Sequence, residues 1–177
     1  MNEIAFFVDA ADFAAEKHRH QRRKGVERLP YINHPLALAR VLAVEAGIDD
    51  TTVLVAAVLH DTVEDTATTG EELRERFGDE VAAIVLEVTD DKSLPSSERK
   101  RLQIEHAPSL SRHAKLVKYA DKICNLRDMV LRPPKDWSLQ RRQEYFDWAK
   151  AVIDGLGPAT PELDAAFALA YAARPKE

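Results

Sequence analysis

The sequence predicts an all-α fold. Apolar residues return at the three- and four-residue spacing of an amphipathic helix along almost the whole chain, and no stretch alternates polar and apolar residues long enough for a half-buried strand. Helix-capping and helix-breaking residues fall between these periodic runs.

Ile4, Phe7, Val8, Ala11 and Ala14 mark one face of a first helix, which fades near His20 before a polar, basic connector from Gln21 to Pro30. Pro35 can open a second helix through Leu36, Leu38, Val41 and Leu42, and Gly47 is placed to close it. Asp49 or Asp50 can cap a third, in which Val53, Leu54, Ala57 and Val58 lead into His60-Asp61. Thr69 and Glu72 form a capping-box pattern for a short fourth helix ending near Gly78. A fifth covers Asp79 to Thr89, with Val81, Ile84, Val85 and Val88 inward. After a turn from Asp90 to Pro95, Ser96 or Ser97 caps a charged helix reaching Pro108. The longest periodic segment runs from Ser111 to about Leu131 and is stopped by Pro133-Pro134. Ser138 caps a helix to Gly155, and Thr160-Pro161 starts the last one. The economical reading is one domain over residues 1–177, a compact bundle of about eight to ten helices.

Length and composition agree. At roughly one domain per 150 residues, 177 residues leave little beyond one domain. The balance of 45% hydrophobic and 31% charged residues is that of a soluble globular chain. Cys124 is alone, so no internal disulfide can form, which fits a reducing compartment. With 25 Lys and Arg against 30 Asp and Glu, the net charge of −5 leaves no cationic excess for a nucleic-acid backbone. The longest strongly apolar run, Val53 to Leu59, is too short to cross a bilayer, and the N-terminus carries Glu3 and Asp9 rather than a basic leader. A cytoplasmic protein without nucleic-acid or membrane partners is expected.

The sharpest chemical feature is Leu59-His60-Asp61-Thr62-Val63-Glu64-Asp65-Thr66, where an apolar helix ends in one imidazole and three carboxylates. A His-Asp pair by itself is common in protein cores. Here Tyr31-Ile32-Asn33-His34-Pro35 offers a second imidazole, and Lys118-Tyr119-Ala120-Asp121-Lys122 a further carboxylate. Two imidazoles and two carboxylates suit a divalent metal, with manganese, iron or zinc favoured over calcium, and the lone cysteine excludes a thiolate zinc site. Such an ion lowers the pKa of a water and neutralises a phosphate oxygen.

From Ala10 to Trp148 the chain resembles the hydrolase domain of the RelA/SpoT homologue family. The resemblance rests on Arg22-Arg23-Lys24, Pro30 to Pro35, His60 to Thr66, Val88-Thr89-Asp90-Asp91-Lys92 and Ala120 to Arg127. It is nearest the stand-alone small alarmone hydrolases, metazoan members included, within the HD phosphohydrolase superfamily. It implies an all-helical fold and a manganese ion held by His34, His60, Asp61 and Asp121. The implied reaction is hydrolysis of the 3′-diphosphate of guanosine tetraphosphate or pentaphosphate, giving pyrophosphate and GDP or GTP. Glu64 and Asp65 become the groups that orient and deprotonate the attacking water. Arg23 would stack on or flank the guanine, and Lys24 would contact base or phosphate, within a basic run that gathers cations for a strongly anionic nucleotide. Gly25 departs from the small hydroxylated residue of many bacterial members.

Asn125 shares a helix face with Asp121 and Asp128, which makes it a nucleotide contact; Arg141 and Tyr145, also four apart, suit a phosphate. His18, His20, His106 and His113 read as surface or structural residues. Trp137, Trp148 and Phe146 read as packing aromatics, and Cys124 as a small buried hydrophobe. The rival enzyme reading is an NADPH 2′-phosphatase, an activity associated with the metazoan branch, or a broader nucleotide phosphohydrolase on the same metal site. A non-catalytic alarmone-binding module would require a broken site, and Glu64-Asp65 argue against it. The length leaves no room for a nucleotidyl-transfer domain.

Overall fold

The computed structural model describes residues 2–25 and 27–176. The described residues form α1 (Glu3–Lys17), α2 (Asn33–Arg40), α3 (Thr51–Leu59), α4 (Thr62–Asp65), α5 (Gly70–Phe77), α6 (Asp79–Val88), α7 (Ser96–His106), α8 (Arg112–Leu131), α9 (Leu139–Leu156) and α10 (Pro161–Ala172). The all-α expectation holds. The only β pairing among these residues is a single antiparallel bridge between Arg22 and Pro30, which closes the connector after α1. None of the helices is long and apolar enough to cross a membrane.

Most of the expected start signals work as read. Asp50 caps α3 by accepting from the Thr52 N–H at 2.9 Å, and Ser111, Ser138 and Thr160 cap α8, α9 and α10. Thr69 accepts from the Glu72 N–H, but Glu72 binds Lys17 at 2.7 Å instead of completing the box, so the cap also ties α5 to α1. Three boundaries differ. The second helix begins at Asn33 rather than Pro35, because a proline in the first turn forfeits no intrahelical bond, and this places His34 inside that turn. Ser96 lies within α7, whose cap is Pro95, so neither serine caps by side chain. α9 runs through Gly155 to Leu156 and is closed by Gly157, which has φ 72°. Gly155 is there for closeness: a Cβ would lie 3.1 Å from the Ala107 Cβ.

Packing explains the placement of the polar residues. Val53, Val55, Ala56, Ala57, Val58 and Leu59 of α3 are all fully buried, so this helix is apolar on every side and sits centrally, against α1, α2, α6 and α8. Each Val or Leu there contributes about 1.5–3 kcal/mol by leaving water. A central helix must end inside the protein, and α3 ends at His60-Asp61. The 20-residue α8, about 30 Å long, crosses beneath α2, α3 and α6 and carries Asp121 near its middle.

Candidate active site

Three helices deliver side chains to one point. His34 enters from the first turn of α2, His60 from the end of α3 and Asp121 from α8, and one ligand-type atom from each lies within 4.8 Å of the other two. His34 Nε2 is 3.3 Å from Asp121 Oδ1, while Asp61 Oδ2 is 2.9 Å from His60 Nε2 and 3.9 Å from His34 Nε2. All four expected ligands therefore converge.

The tautomer of His60 is fixed by geometry. Its Nδ1 lies 2.8 Å from the Ala57 carbonyl oxygen, which can only accept, so the proton is on Nδ1 and the Nε2 lone pair faces the cluster. That Nε2 is buried and makes no well-directed hydrogen bond, although Asp61 Oδ2 lies 2.9 Å away. A buried lone pair with no donor, beside a second imidazole and two carboxylates, fits a divalent cation. The carboxylates are braced from behind. Tyr31 donates its hydroxyl to Asp61 Oδ2 at 2.6 Å, Lys122 Nζ donates to Asp121 Oδ2 at 3.1 Å, and Asn125 Nδ2 donates to Asp121 Oδ1 at 2.5 Å. Burial pushes the His34 imidazole below its ordinary pKa, which favours the neutral ring a metal ligand requires. Burial opposes charge on Asp121, yet Lys122 and His34 hold it well below the carboxylate range. Burial and the adjacent Asp61 push Tyr31 far up, so it remains a donor.

Glu64 and Asp65 occupy α4, a single turn directly after His60-Asp61. Glu64 Oε2 accepts from the Asp90 N–H at 3.1 Å, and Asp65 Oδ2 accepts from Gln21 Nε2 at 2.6 Å. Burial pushes the Glu64 carboxyl up, and neighbouring Asp61, Asp90 and Asp65 add to it against the pull of the Asp90 N–H.

A partly buried polar chain joins the two groups. Lys122 Nζ donates to Gln103 Oε1 at 2.8 Å, Gln103 Nε2 donates to Asp90 Oδ2 at 2.7 Å, and Lys118 Nζ donates to the Val88 carbonyl at 2.8 Å. Asp121 is thus coupled through Lys122, Gln103 and Asp90 to the carboxylate of Glu64. These groups line a cleft of about 440 Å³, a size suited to a small ligand.

Comparison with known proteins places this cleft in context. A family model for the HD domain matches residues 10–146. The chain belongs to the HD domain family. It is 61% identical over 155 residues to guanosine-3′,5′-bis(diphosphate) 3′-pyrophosphohydrolase MESH1 of Xenopus tropicalis, spanning 88% of this chain and 87% of that one. It is 57% identical over 166 residues to the Homo sapiens protein of the same name, spanning 94% and 93%. A solved structure described as a metazoan ortholog of SpoT that hydrolyzes ppGpp and plays a role in starvation responses superposes with a TM-score of 0.92. It shows 47% identity and covers 96% of each chain.

Within the HD-domain cleft, the expected substrate contacts occupy different places. Arg23, Lys24, Asn125 and Tyr145 all line it. Arg23 Nη2 donates to Asn125 Oδ1 and to Asp128 Oδ2, both at 2.8 Å, so two of these residues are tied to each other. Arg141 is exposed outside the lining, with its guanidinium 4.3 Å above the Trp137 ring. Trp137 and Trp148 pack against the core as expected and, with Tyr145, also form an aromatic wall of the cleft, whereas Phe146 is core. Gly25 has a physical account, because a Cβ there would lie 3.0 Å from the Arg132 carbonyl oxygen at the end of α8. His18 is buried and structural, its ring 4.8 Å from Tyr31 and its Nδ1 2.7 Å from Gln21 Oε1. Cys124 is buried, and burial pushes its thiol up to about 12.

Tyr31, Gln21, Gln103, Lys118 and Lys122 hold the site together and were given no role from sequence. Tyr31 stood beside His34 in a recognised motif, and Lys118 and Lys122 flanked Asp121. Gln103, on a charged surface-type helix, carried no such signal.

Proposed function

We propose that this chain is a divalent-metal-dependent hydrolase of the 3′-diphosphate of guanosine tetraphosphate and pentaphosphate, releasing pyrophosphate and GDP or GTP, with manganese as the metal. The observation that carries the reading is the meeting of His34, His60 and Asp121, with Asp61 beside them, in the same cleft as Glu64 and Asp65. The names of the relatives, covering most of each chain, support the substrate.

His34, His60, Asp61 and Asp121 would hold the cation, which when bound supplies Lewis-acid stabilisation of the phosphate and acidifies a water. The chain's own residues supply the rest. Asp65 and the raised Glu64 orient that water and take its proton, as the O–P bond forms and the bond to the 3′ oxygen breaks. Arg23 and Lys24 line the cleft, where they would hold a base or phosphate, and Asn125 and Tyr145 would complete the nucleotide side. Lone, buried Cys124 supports a cytoplasmic setting.

A product assay on metal-stripped protein, with one divalent ion restored at a time, tests the reading. No turnover after chelation and best recovery with manganese are expected. Full activity without metal refutes the mechanism, and turnover of NADPH in preference to guanosine tetraphosphate transfers the site to a 2′-phosphatase.

A further inference from the structure

Two cations face the acidic pair from the segment after α6. Lys92 forms an ion pair with Asp65, and Arg99 Nη1, in the first turns of α7, lies 3.6 Å from Glu64 Oε1. Both line the cleft. Neither is fully used by the fold. At 3.6 Å the Arg99 contact is too long for a hydrogen bond, and its Nε is buried without an acceptor, so guanidinium donors remain for a further anion. Lys92 is 48% exposed on a flexible stem, so its charge can follow a ligand.

We propose that Lys92 and Arg99 bind the distal phosphoryl group of the substrate's 3′-diphosphate and thereby make the site select a diphosphate over a monophosphate ester. The proposal rests on the hydrolase reading above. In that reaction a water oxygen bonds to the ester phosphorus, the bond to the 3′ oxygen breaks, and the water proton taken by the Glu64–Asp65 pair is returned to the 3′ oxygen, which leaves as a hydroxyl. The attacked phosphorus lies against that pair. The distal phosphoryl, one P–O–P bridge away and retained in the pyrophosphate product, then falls within reach of the cations that touch the same pair. On binding, Lys92 and Arg99 exchange carboxylate oxygens for phosphate oxygens, which frees the lone pairs of Glu64 and Asp65 for the water. A monophosphate lacks the oxygens to drive this exchange.

The test uses metal-loaded full-length protein, with pyrophosphate and orthophosphate titrated separately by calorimetry at buffered free metal. Lys92→Gln, Arg99→Gln and Arg99→Lys are compared with the parent. The parent should bind pyrophosphate at least about tenfold more tightly than orthophosphate, and each glutamine variant should weaken pyrophosphate about tenfold, from the loss of a charge-assisted hydrogen bond. Orthophosphate affinity, metal content and melting temperature should hold, and Arg99→Lys should recover part of the loss. KM for guanosine tetraphosphate should rise alongside. Equal affinity of the parent for the two anions, or equal weakening of both by the variants, overturns the proposal. A parent that selects pyrophosphate but does not hydrolyse guanosine tetraphosphate would instead overturn the hydrolase reading.

Discussion

Replacing Lys122 by methionine should separate the cost of the buried network from the benefit of a bound cation. Lys122 is 2% exposed, donates to Gln103 Oε1 and Asp121 Oδ2, and holds its ammonium 4.2 Å from the Trp148 ring centroid. Methionine fills similar volume, so the loss is the charge and its bonds. Breaking one side of a buried ion pair costs about 3–5 kcal/mol. Asp121 keeps its bond from Asn125 and its contact with His34, so the lower end applies, about 3 kcal/mol. For a chain of this size that corresponds to a fall in melting temperature of roughly 6–12 °C in metal-free protein. Without Lys122 the Asp121 charge is uncompensated, so a divalent cation should restore more stability to Lys122→Met than to the parent. Thermal melts with and without manganese measure both quantities. A fall of less than about 2 °C, or an equal metal-induced gain in the two proteins, would refute the reasoning.

Glu64→Gln and Asp65→Asn should keep their metal, measured by elemental analysis, while turnover falls about 10²–10⁴-fold, because an amide cannot take a proton; a loss of only a few-fold would assign them to positioning. Lys24→Ala should raise KM more than it lowers kcat and weaken the salt dependence of kcat/KM, whereas Arg141→Ala, outside the cleft lining, should change KM less; the reverse order would move phosphate recognition to α9. Glu45 accepts two bonds from Arg127, at 3.0 and 2.8 Å, and one from Arg40; these hold its carboxyl below the ordinary glutamate value despite burial. The stability it supplies is present above the unfolded glutamate value and is lost as pH falls through the lowered folded one. Glu45→Gln should therefore cost about 1 kcal/mol, near 2–4 °C in melting temperature, at neutral pH and nothing below the glutamate range; a deficit persisting in acid would contradict the linkage.

The candidate metal cluster was legible because its chemistry is written in residue types with few other uses at such positions. An apolar run ending in His60-Asp61 must carry polar groups into the interior, and His34 and Asp121 are the complementary donors. What escaped were residues whose role is set by a distant partner. A lysine within a helix reads as solvated, yet Lys122 and Lys118 are buried because Gln103, Asp121 and the Val88 carbonyl accept from them. Trp137 and Trp148 have the periodicity of packing residues, and only the approach of α9 and its preceding loop to the cleft turns their faces into a wall. Helix ends were mislaid where proline or glycine satisfies two rules at once, as at Pro35 and Gly155.

The same physics connects the core to the chemistry. Because α3 is apolar all round it is driven to the centre, and its C-terminal residues arrive where few waters can serve them. Each polar group of the site needs a partner, and these come from loops as well as helices: Tyr31 for Asp61, Lys122 and Asn125 on the same helix for Asp121, the Asp90 N–H for Glu64. His60 Nε2 and, on the second imidazole, His34 Nδ1 are buried without a hydrogen-bond partner. A fold that braces the carboxylates but leaves the His60 lone pair buried, beside two carboxylates and a second imidazole, suits a divalent cation there, and the apolar helix that draws His60 inward is what creates that demand.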